Sequence, residues 1–263
     1  MTAGETMAGR FGGKVVVITG GGGGIGRATA VHLAGEGAQL VLVDRAPDAL
    51  AATVAAVERV GGSAVSVEAD VTRRVDVERY VTAAQERFGG IDAFFNNAGI
   101  LGPVKPLVEY PEDDFDRVIA VNLKGVWLGL RAVGPVLMAR GGGAIVNTAS
   151  VAGVRSAANL VAYSASKHGV VGLTRTAAVE FARRGVRVNA ICPAPIETAM
   201  VGELEQRWGR GDPAAFRKRM SATIPLGRYG KPEEVAALVA FLLSDEASYL
   251  SGGIYTVDGG SMA

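Results

Sequence analysis

The 263-residue chain has little of several things, and each scarcity excludes something. It holds one cysteine, Cys192. A single thiol rules out an intramolecular disulfide and a cysteine-cluster zinc site, and it suits a reducing compartment. Its two histidines, His32 and His168, lie far apart, so no metal site is expected. Neither charge dominates: Lys+Arg is 27, Asp+Glu is 26 and the formal net charge is +1. That balance argues against a nucleic-acid partner and against an acidic tail. Long apolar runs are missing. A membrane-spanning helix needs roughly 20 apolar residues in a row, and the longest clean run here is Val235 to Leu243. No membrane partner is expected. The first residues, MTAGETMAGRFGGK, lack a basic region followed by an apolar core, so they do not read as a secretory signal. They read as a loose tail over about residues 1–11, and the chain as cytoplasmic. There is no repeat of fixed period and no low-complexity linker.

What is present is a globular composition, 49% hydrophobic and 20% charged, with 37 glycines. That glycine share is about twice the usual one. Short runs rich in β-branched residues alternate with helical patterns. Strands are predicted over 15–19, 40–43, 64–67, 91–95, 144–148, 186–191 and 254–257. Helices are predicted over 26–35, 47–60, 73–88, 115–138, 161–183 and 232–243. Runs apolar at every position suit strands buried on both faces of a parallel sheet. The alternation predicts an α/β doubly wound fold: one domain over 1–263, with a seven-stranded parallel sheet flanked by helices. The one long irregular stretch, 193–225, is too long for a plain connection and reads as a substrate lid, with room for short helices.

The first predicted strand runs into five glycines, Gly20 to Gly24. A G-x-G-x-x-G match at Gly21, Gly23 and Gly26 means little in such a run, because several registers fit. The context carries the weight: a buried strand before, a helix after, and Asp44 at the end of the second strand. Glycines there let a pyrophosphate approach backbone N–H groups at a helix N-terminus. A plain flexible loop is the weaker reading. Asp44 can accept hydrogen bonds from both hydroxyls of an adenosine ribose and would repel a 2′-phosphate, so NAD is favoured over NADP. Arg45 follows and could soften that preference. Asp44 could instead cap a helix, although Pro47 follows awkwardly. Asp70 closes the third strand, where it would meet the adenine or serve as a cap.

Four motifs, taken together, resemble the short-chain dehydrogenase/reductase family: Thr19-Gly20-x-x-x-Gly24-Ile25-Gly26, Asn96-Asn97-Ala98-Gly99, Tyr163-x-x-x-Lys167, and Ser150 ahead of that tyrosine. The likeness runs from about Gly12 to the C-terminus. It implies a Rossmann sheet, a bound NAD(P), hydride transfer at a carbon bearing oxygen, and a dimer or tetramer, with a homotetramer expected. It implies that Gly20, Gly24, Ile25 and Gly26 line the pyrophosphate. Asp44, Arg45, Asp70 and Val71 would hold the adenosine half, and Asn97 and Gly99 would stand by its ribose. Pro193, Ile196 and Thr198 would meet the nicotinamide half, together with Tyr163 and Lys167. Asn122, Ser150, Tyr163 and Lys167 fall on the catalytic positions. One departure is visible: the family has Pro-Gly after the sixth strand, and here it is Pro193-Ala194. Alanine takes positive φ less readily than glycine, so the substrate wall at Ala194 is the part in question.

The chemistry suits those residue types. Tyr163 and Lys167 are four apart and share one helix face. An unperturbed tyrosine titrates near 10. The expectation is that the Lys167 ammonium and the positive oxidised nicotinamide pull Tyr163 down, making it a general base or acid near neutral pH. Ser150 would hold the substrate oxygen. Lys167 also suits the nicotinamide ribose. Asn122 would organise water and backbone near Lys167. A Tyr and a Lys at this spacing occur by chance on many helices; Ser150, Asn122 and the glycine run are what make them a site. His168 and His32 read as structural and Cys192 as a buried hydrophobe. Trp127, Phe94 and Phe95 read as core. Trp208 and Phe216, in the lid, would cover a ligand or a subunit contact.

The expected substrate pocket is Ser150, Ala152, Leu160, Tyr163, Ala194 and Met200, apart from the hydroxyls an apolar set. It suits a small secondary alcohol or ketone. The stretches FFNNAGI, VNTASVAG and KHGVVGLTR are similar to members acting on cyclic alcohols and ketones, dihydrodiol dehydrogenases among them. Two other readings stay open. One is a 3-oxoacyl-[acyl-carrier-protein] reductase, with Arg183-Arg184, Arg187 or the 217–219 run as a docking patch; its usual NADP preference conflicts with Asp44. The other is a non-catalytic NAD-binding redox sensor, which would have no need of a proton donor.

Overall fold

The structure is a computed structural model and describes residues 9–209 and 211–263. Strand β1 (Val15–Thr19) is buried at every position because it has a core on each side. Val15 and Val17 point into one core, Val16 and Ile18 into the other. The same division recurs in β2 (Gln39–Asp44), where Val41 and Val43 face one core and Leu40 and Leu42 the other. The edge strand β3 (Ser63–Glu68) mixes serine and valine and is half-exposed. With β4 (Ala93–Asn96), β5 (Gly143–Thr148), β6 (Val186–Pro193) and β7 (Ile254–Val257) these form a seven-stranded sheet, parallel throughout, in the order β3-β2-β1-β4-β5-β6-β7.

Helices α1 (Gly24–Gly35), α2 (Pro47–Arg59) and α9 (Pro232–Leu243) cover one face. Helices α3 (Arg74–Phe88), α5 (Gly125–Ala139) and α6 (Val161–Phe181) cover the other. This is the doubly wound Rossmann architecture expected from the alternation. Strand order reverses between β1 and β4, and ligands of such sheets bind outside the carboxyl ends of the strands at that switch point.

Three expectations change. The segment 115–138 is not one regular helix. Helix α4 (Glu112–Ile119) widens into a π-helical turn over Ala120–Lys124 before α5 begins. An i→i+5 widening leaves no mark in an apolar pattern, and such turns are frequent at functional sites. Residues 1–8 of the expected tail lie outside the described residues, but the chain is docked before residue 12. Phe11 is fully buried, and Arg10 pairs with Glu36 and Glu246. Trp127 is not core: it is 43% exposed, with the Arg131 guanidinium 5.4 Å from its ring centre. Phe94 and Phe95 are core, as expected. The stretch 193–225 carries α7 (Ala199–Trp208) and α8 (Pro213–Ala222), the latter started by Pro213 and capped by Asp212, whose carboxylate accepts from Ala215 N at 2.8 Å.

Candidate active site

The site is built where five strands end, β1, β2, β4, β5 and β6. After β1 the chain turns at Gly20 with φ +67°, and a Cβ there would stand 2.8 Å from Asn97 Nδ2. Gly26 is buried, and a Cβ on it would lie 2.0 Å from the Gly20 carbonyl oxygen, so the turn and the first turn of α1 can close on each other only without that atom. Gly26 is therefore a packing glycine and not part of a ligand wall. Helix α1 starts beside Gly23, which offers no side-chain cap, and has no acidic residue in its first turn. Its N–H groups and dipole are open to an anion. The Thr19 hydroxyl accepts from Asn97 N at 2.9 Å and Ala98 N at 3.1 Å, and Asn97 Nδ2 donates to the Thr19 carbonyl at 3.0 Å. Thr148 Oγ1 donates to Asn97 Oδ1 at 3.1 Å. The ends of β1, β4 and β5 are thus tied together.

Asp44 is fastened by three backbone N–H donors. Gly22 donates to one carboxylate oxygen at 3.0 Å; Arg45 and Ala46 donate to the other at 2.7 and 3.2 Å. Asp44 is not the cap of α2, whose capping residue is Ala46. Arg45 and Asp70 do not join the main cavity. They line a neighbouring polar pocket with Arg73, Asp76 and Arg79. Asp70 is occupied by Thr72, which donates its N–H at 2.9 Å and its hydroxyl at 2.7 Å to one carboxylate oxygen. Those bonds, with the nearby Arg45 and Arg73 charges, hold its carboxyl below the usual range against the opposing effect of burial. Val71 is buried beside Gly125, where a Cβ would meet Val71 Cγ2 at 2.9 Å.

Helix α6 places Tyr163 and Lys167 on one face, as the spacing predicts. Lys167 is almost wholly buried. Its ammonium donates to the Thr148 carbonyl at 2.7 Å and lies 5.6 Å from the Tyr163 ring centre. Burial holds Lys167 down to about 8. Tyr163 departs from expectation: burial pushes its phenol above the ordinary value, and a Ser150 hydrogen bond pulls the other way. Desolvation of the phenolate outweighs that hydrogen bond. Ser150 ends β5. Its Oγ accepts from Ala152 N at 3.1 Å and lies 3.5 Å from the Pro193 carbonyl oxygen.

Asn122 sits inside the π-helical turn, wholly buried and behind the cavity wall. Its Oδ1 accepts from Ile100 N at 2.8 Å, and its Nδ2 donates to the Ile100 carbonyl at 2.9 Å and to Ser166 Oγ at 3.2 Å. Ser166 in turn donates to the Tyr163 carbonyl at 2.7 Å. Asn122 therefore joins the β4–α4 loop to the helix bearing Tyr163.

One cavity of about 630 Å³ collects most of the expected residues. Gly20, Gly24, Ile25, Asp44, Asn97 and Gly99 line one half. Ser150, Ala152, Leu160, Tyr163, Lys167, Pro193, Ala194, Ile196, Thr198 and Met200 line the rest. Thr198 crosses the mouth of the glycine turn: a Cβ on Gly24 would come within 3.1 Å of its methyl group. Ala194 resolves the Pro-Gly departure. Asn159 is the sole non-glycine with positive φ among the described residues, so the turn at Ala194 avoids the left-handed region. Trp208 joins the wall and packs on Phe216, ring centres 5.7 Å apart. Sequence reasoning missed Arg155, Met220, Ile224, Ser261 and Met262 as wall residues. The last two come from the C-terminal turn, which no motif marks. Among the described residues there is no His/Cys/Asp/Glu group able to hold a metal, and no helix long and apolar enough to cross a membrane. The open glycine turn, uncapped helix start and fixed Asp44 fit a dinucleotide.

The strand order and this constellation are those of a short-chain dehydrogenase/reductase, and residues 20–262 match a family model described as enoyl-(acyl carrier protein) reductase. The chain belongs to the short-chain dehydrogenase/reductase family and is an oxidoreductase of it. It is 48% identical to levodione reductase of Leifsonia aquatica, over 100% of this chain and 99% of that protein. A crystal structure of levodione reductase superposes with a TM-score of 0.94, covering 95% of this chain and 98% of that one at 48% identity. Cyclohexanol dehydrogenase of Acinetobacter sp. (strain SE19) is 42% identical, over 97% of each chain. The structure of an NAD+-bound xylitol dehydrogenase gives a TM-score of 0.92 at 39% identity, covering 95% of this chain and 99% of that one.

Proposed function

We propose that the protein is an NAD-dependent dehydrogenase that interconverts a secondary, cyclic alcohol and its ketone. The observation that carries this reading is the convergence of Ser150, Tyr163 and Lys167 with Asp44 and the open glycine turn on one cavity. The substrate half is mainly apolar, with Leu160, Met200, Leu204 and Trp208 in its wall, and it suits a ring better than a sugar. The names of the levodione and cyclohexanol relatives point the same way.

Bound NAD would supply the hydride acceptor for alcohol oxidation. The chain supplies everything else. Asp44 presents its remaining lone pairs to a ribose diol and opposes a 2′-phosphate. The N–H groups at the start of α1 would hold the pyrophosphate, and Thr198 and Ile196 would hold the nicotinamide half. Ser150 Oγ holds the substrate oxygen, and Tyr163 takes the alcohol proton in oxidation or returns it in reduction. In the protein alone its phenol is held protonated, which suits donation. A positive charge arriving beside it favours the phenolate. Lys167, set by the Thr148 carbonyl, would hold the nicotinamide ribose. Asn122 fixes the backbone around both.

The expected test is Tyr163→Phe. It should lower kcat for cyclohexanol oxidation by about a thousandfold, the scale of a lost general acid/base. NADH fluorescence titration should show binding unchanged. A variant that keeps full turnover would contradict the reading.

A 41% identical relative, the 3-oxoacyl-[acyl-carrier-protein] reductase of Thermotoga maritima, favours one second reading, reduction of an acyl-carrier-bound ketone. Two elements of its expected docking patch are spent elsewhere. Arg187 donates to the carbonyls of Leu242 and Ser244 at 2.8 Å each, and Arg217 pairs with Glu197 and lies over the Tyr229 ring. This supports the small-alcohol reading over it.

A further inference from the structure

The cavity wall holds three charged side chains, Asp44, Lys167 and Arg155. The first two belong to the cofactor and proton-transfer half. Arg155 stands apart from them, on the loop between Ser150 and Tyr163, where the rest of the wall is mostly apolar. Arginines nearby are spent: Arg117 pairs with Asp114 at 2.6 Å, and Arg207 donates to the Gly102 carbonyl at 2.7 Å. The Arg155 guanidinium has no hydrogen-bond or ion-pair partner among the described residues. Its backbone is nevertheless placed. Ser150 opens a 3₁₀ turn over Val151–Gly153, and Arg155 N donates to the Val151 carbonyl at 2.9 Å. The far end of the loop is pinned at Asn159, whose φ is +62° and whose carbonyl accepts from Lys105 N at 3.0 Å. Asparagine tolerates that conformation better than other non-glycine residues. The turn that sets Ser150 thus also carries an unpaired guanidinium at the cavity.

A guanidinium is a fixed fork of donors with no acceptor. Arg155 is exposed to solvent where it lines the cavity, so the fork favours a charged or strongly polar oxygen, whose bond to it is charge-assisted. We propose that Arg155 is a specificity-determining residue that receives a second oxygen function of the substrate, remote from the carbon that is oxidised. The substrate class is then bifunctional: a ring that bears the reacting alcohol or ketone and, elsewhere, a carbonyl, hydroxyl or carboxylate. This rests on the dehydrogenase reading above.

The test compares Arg155→Met and Arg155→Lys with the parent protein on cyclohexanol, 4-hydroxycyclohexanone and 4-hydroxycyclohexanecarboxylate, with NAD. The expected result for Arg155→Met is a loss of about tenfold in kcat/KM on the bifunctional substrates, carried by KM, as for one charge-assisted hydrogen bond. Cyclohexanol kinetics and the KM for NAD should not move, which separates the effect from misfolding. Recovery by Arg155→Lys on the carboxylate alone would identify an anion as the ligand; loss on both bifunctional substrates in Arg155→Lys would identify the fork. Unchanged kcat/KM on both bifunctional substrates, or an equal fall on cyclohexanol, would overturn the assignment and leave the dehydrogenase reading standing. No turnover of any of the three by the parent protein would overturn both.

Discussion

Lys167 shows most clearly how a single residue is set for function against stability. Its ordinary value is 10.5, and burial lowers it to about 8 in the folded protein. The charged form is therefore disfavoured by folding. Below about 8 the penalty is fully present, on the order of 3 kcal/mol for a shift of that size. Between about 8 and 10.5 the folded protein has shed the proton that the unfolded chain still binds, so stability rises with pH across that window. Above it the penalty is gone. Lys167→Met should thus abolish turnover and, near neutral pH, stabilise the protein by about 1–3 kcal/mol, less whatever the lost Thr148 hydrogen bond contributes. Urea melts of both proteins at neutral and alkaline pH would check this. The gain should shrink as pH rises through the window, and a constant or growing difference would contradict the account. At this scale the sequence was legible where a residue type meets a strand end beside the cavity, as for Asp44 and Ser150, and where a helical spacing pairs two side chains, as for Tyr163 and Lys167. It was not legible for Asp70, Arg45 and Val71, whose side chains are taken up by neighbours or turned away from the cavity. Nor was it legible for the direction of the Tyr163 shift, which depends on burial.

Among the elements, the π-helical turn at Ala120–Lys124 matters most. It sets Asn122 where its amide satisfies both backbone groups of Ile100 and the Ser166 hydroxyl. All these groups are poorly reached by water, so removing the amide leaves donors and acceptors unpaired. Asn122→Ala should destabilise the protein by about 2–4 kcal/mol and lower kcat more than it raises the KM for NAD, because the loop and α6 lose their tie. Thermal melts with parallel kinetics would show it; a variant as stable as the parent would contradict it. The central strands were legible because each has a core on both faces and reads as a continuous apolar run, and the flanking helices because of their own apolar periodicity. The widened turn was not, since the apolar pattern continues through it. Helices α7 and α8 were foreseen only as room in a long loop. Their partners are lines of contact that no local pattern encodes, such as Arg207 on the Gly102 carbonyl and Trp208 on Phe216.

For the whole molecule, the sheet order places the ends of β1, β2, β4, β5 and β6 around one cavity and leaves the outer helix faces to other uses. Large apolar side chains exposed there include Trp127 on α5 at 43% and Val179 on α6 at 79%. Exposed apolar side chains on these helices suit a contact between copies of the chain, as the expected homotetramer requires. The expected outcome in light scattering is a particle of more than one chain, and Val179→Arg should reduce its mass. A parent protein that stays monomeric at micromolar concentration would contradict this. The C-terminal turn also acts at this scale. It is joined to the loop after α8 through Leu226 N, which donates to the Gly259 carbonyl at 3.1 Å, and it brings Met262 to the cavity wall. A contact between residues that distant in sequence is what a linear reading cannot supply.

The most direct test of the central claim is the initial rate of cyclohexanol oxidation, followed by nicotinamide absorbance with NAD and NADP in parallel, for the parent protein and Asp44→Ala. The account predicts turnover by the parent with NAD and at least about tenfold less with NADP, a preference that the variant loses, as expected for one acidic ribose contact. Equal or better turnover of the parent with NADP would contradict the reading of Asp44, and no turnover with either cofactor would contradict the assignment of the cavity to cyclic alcohols.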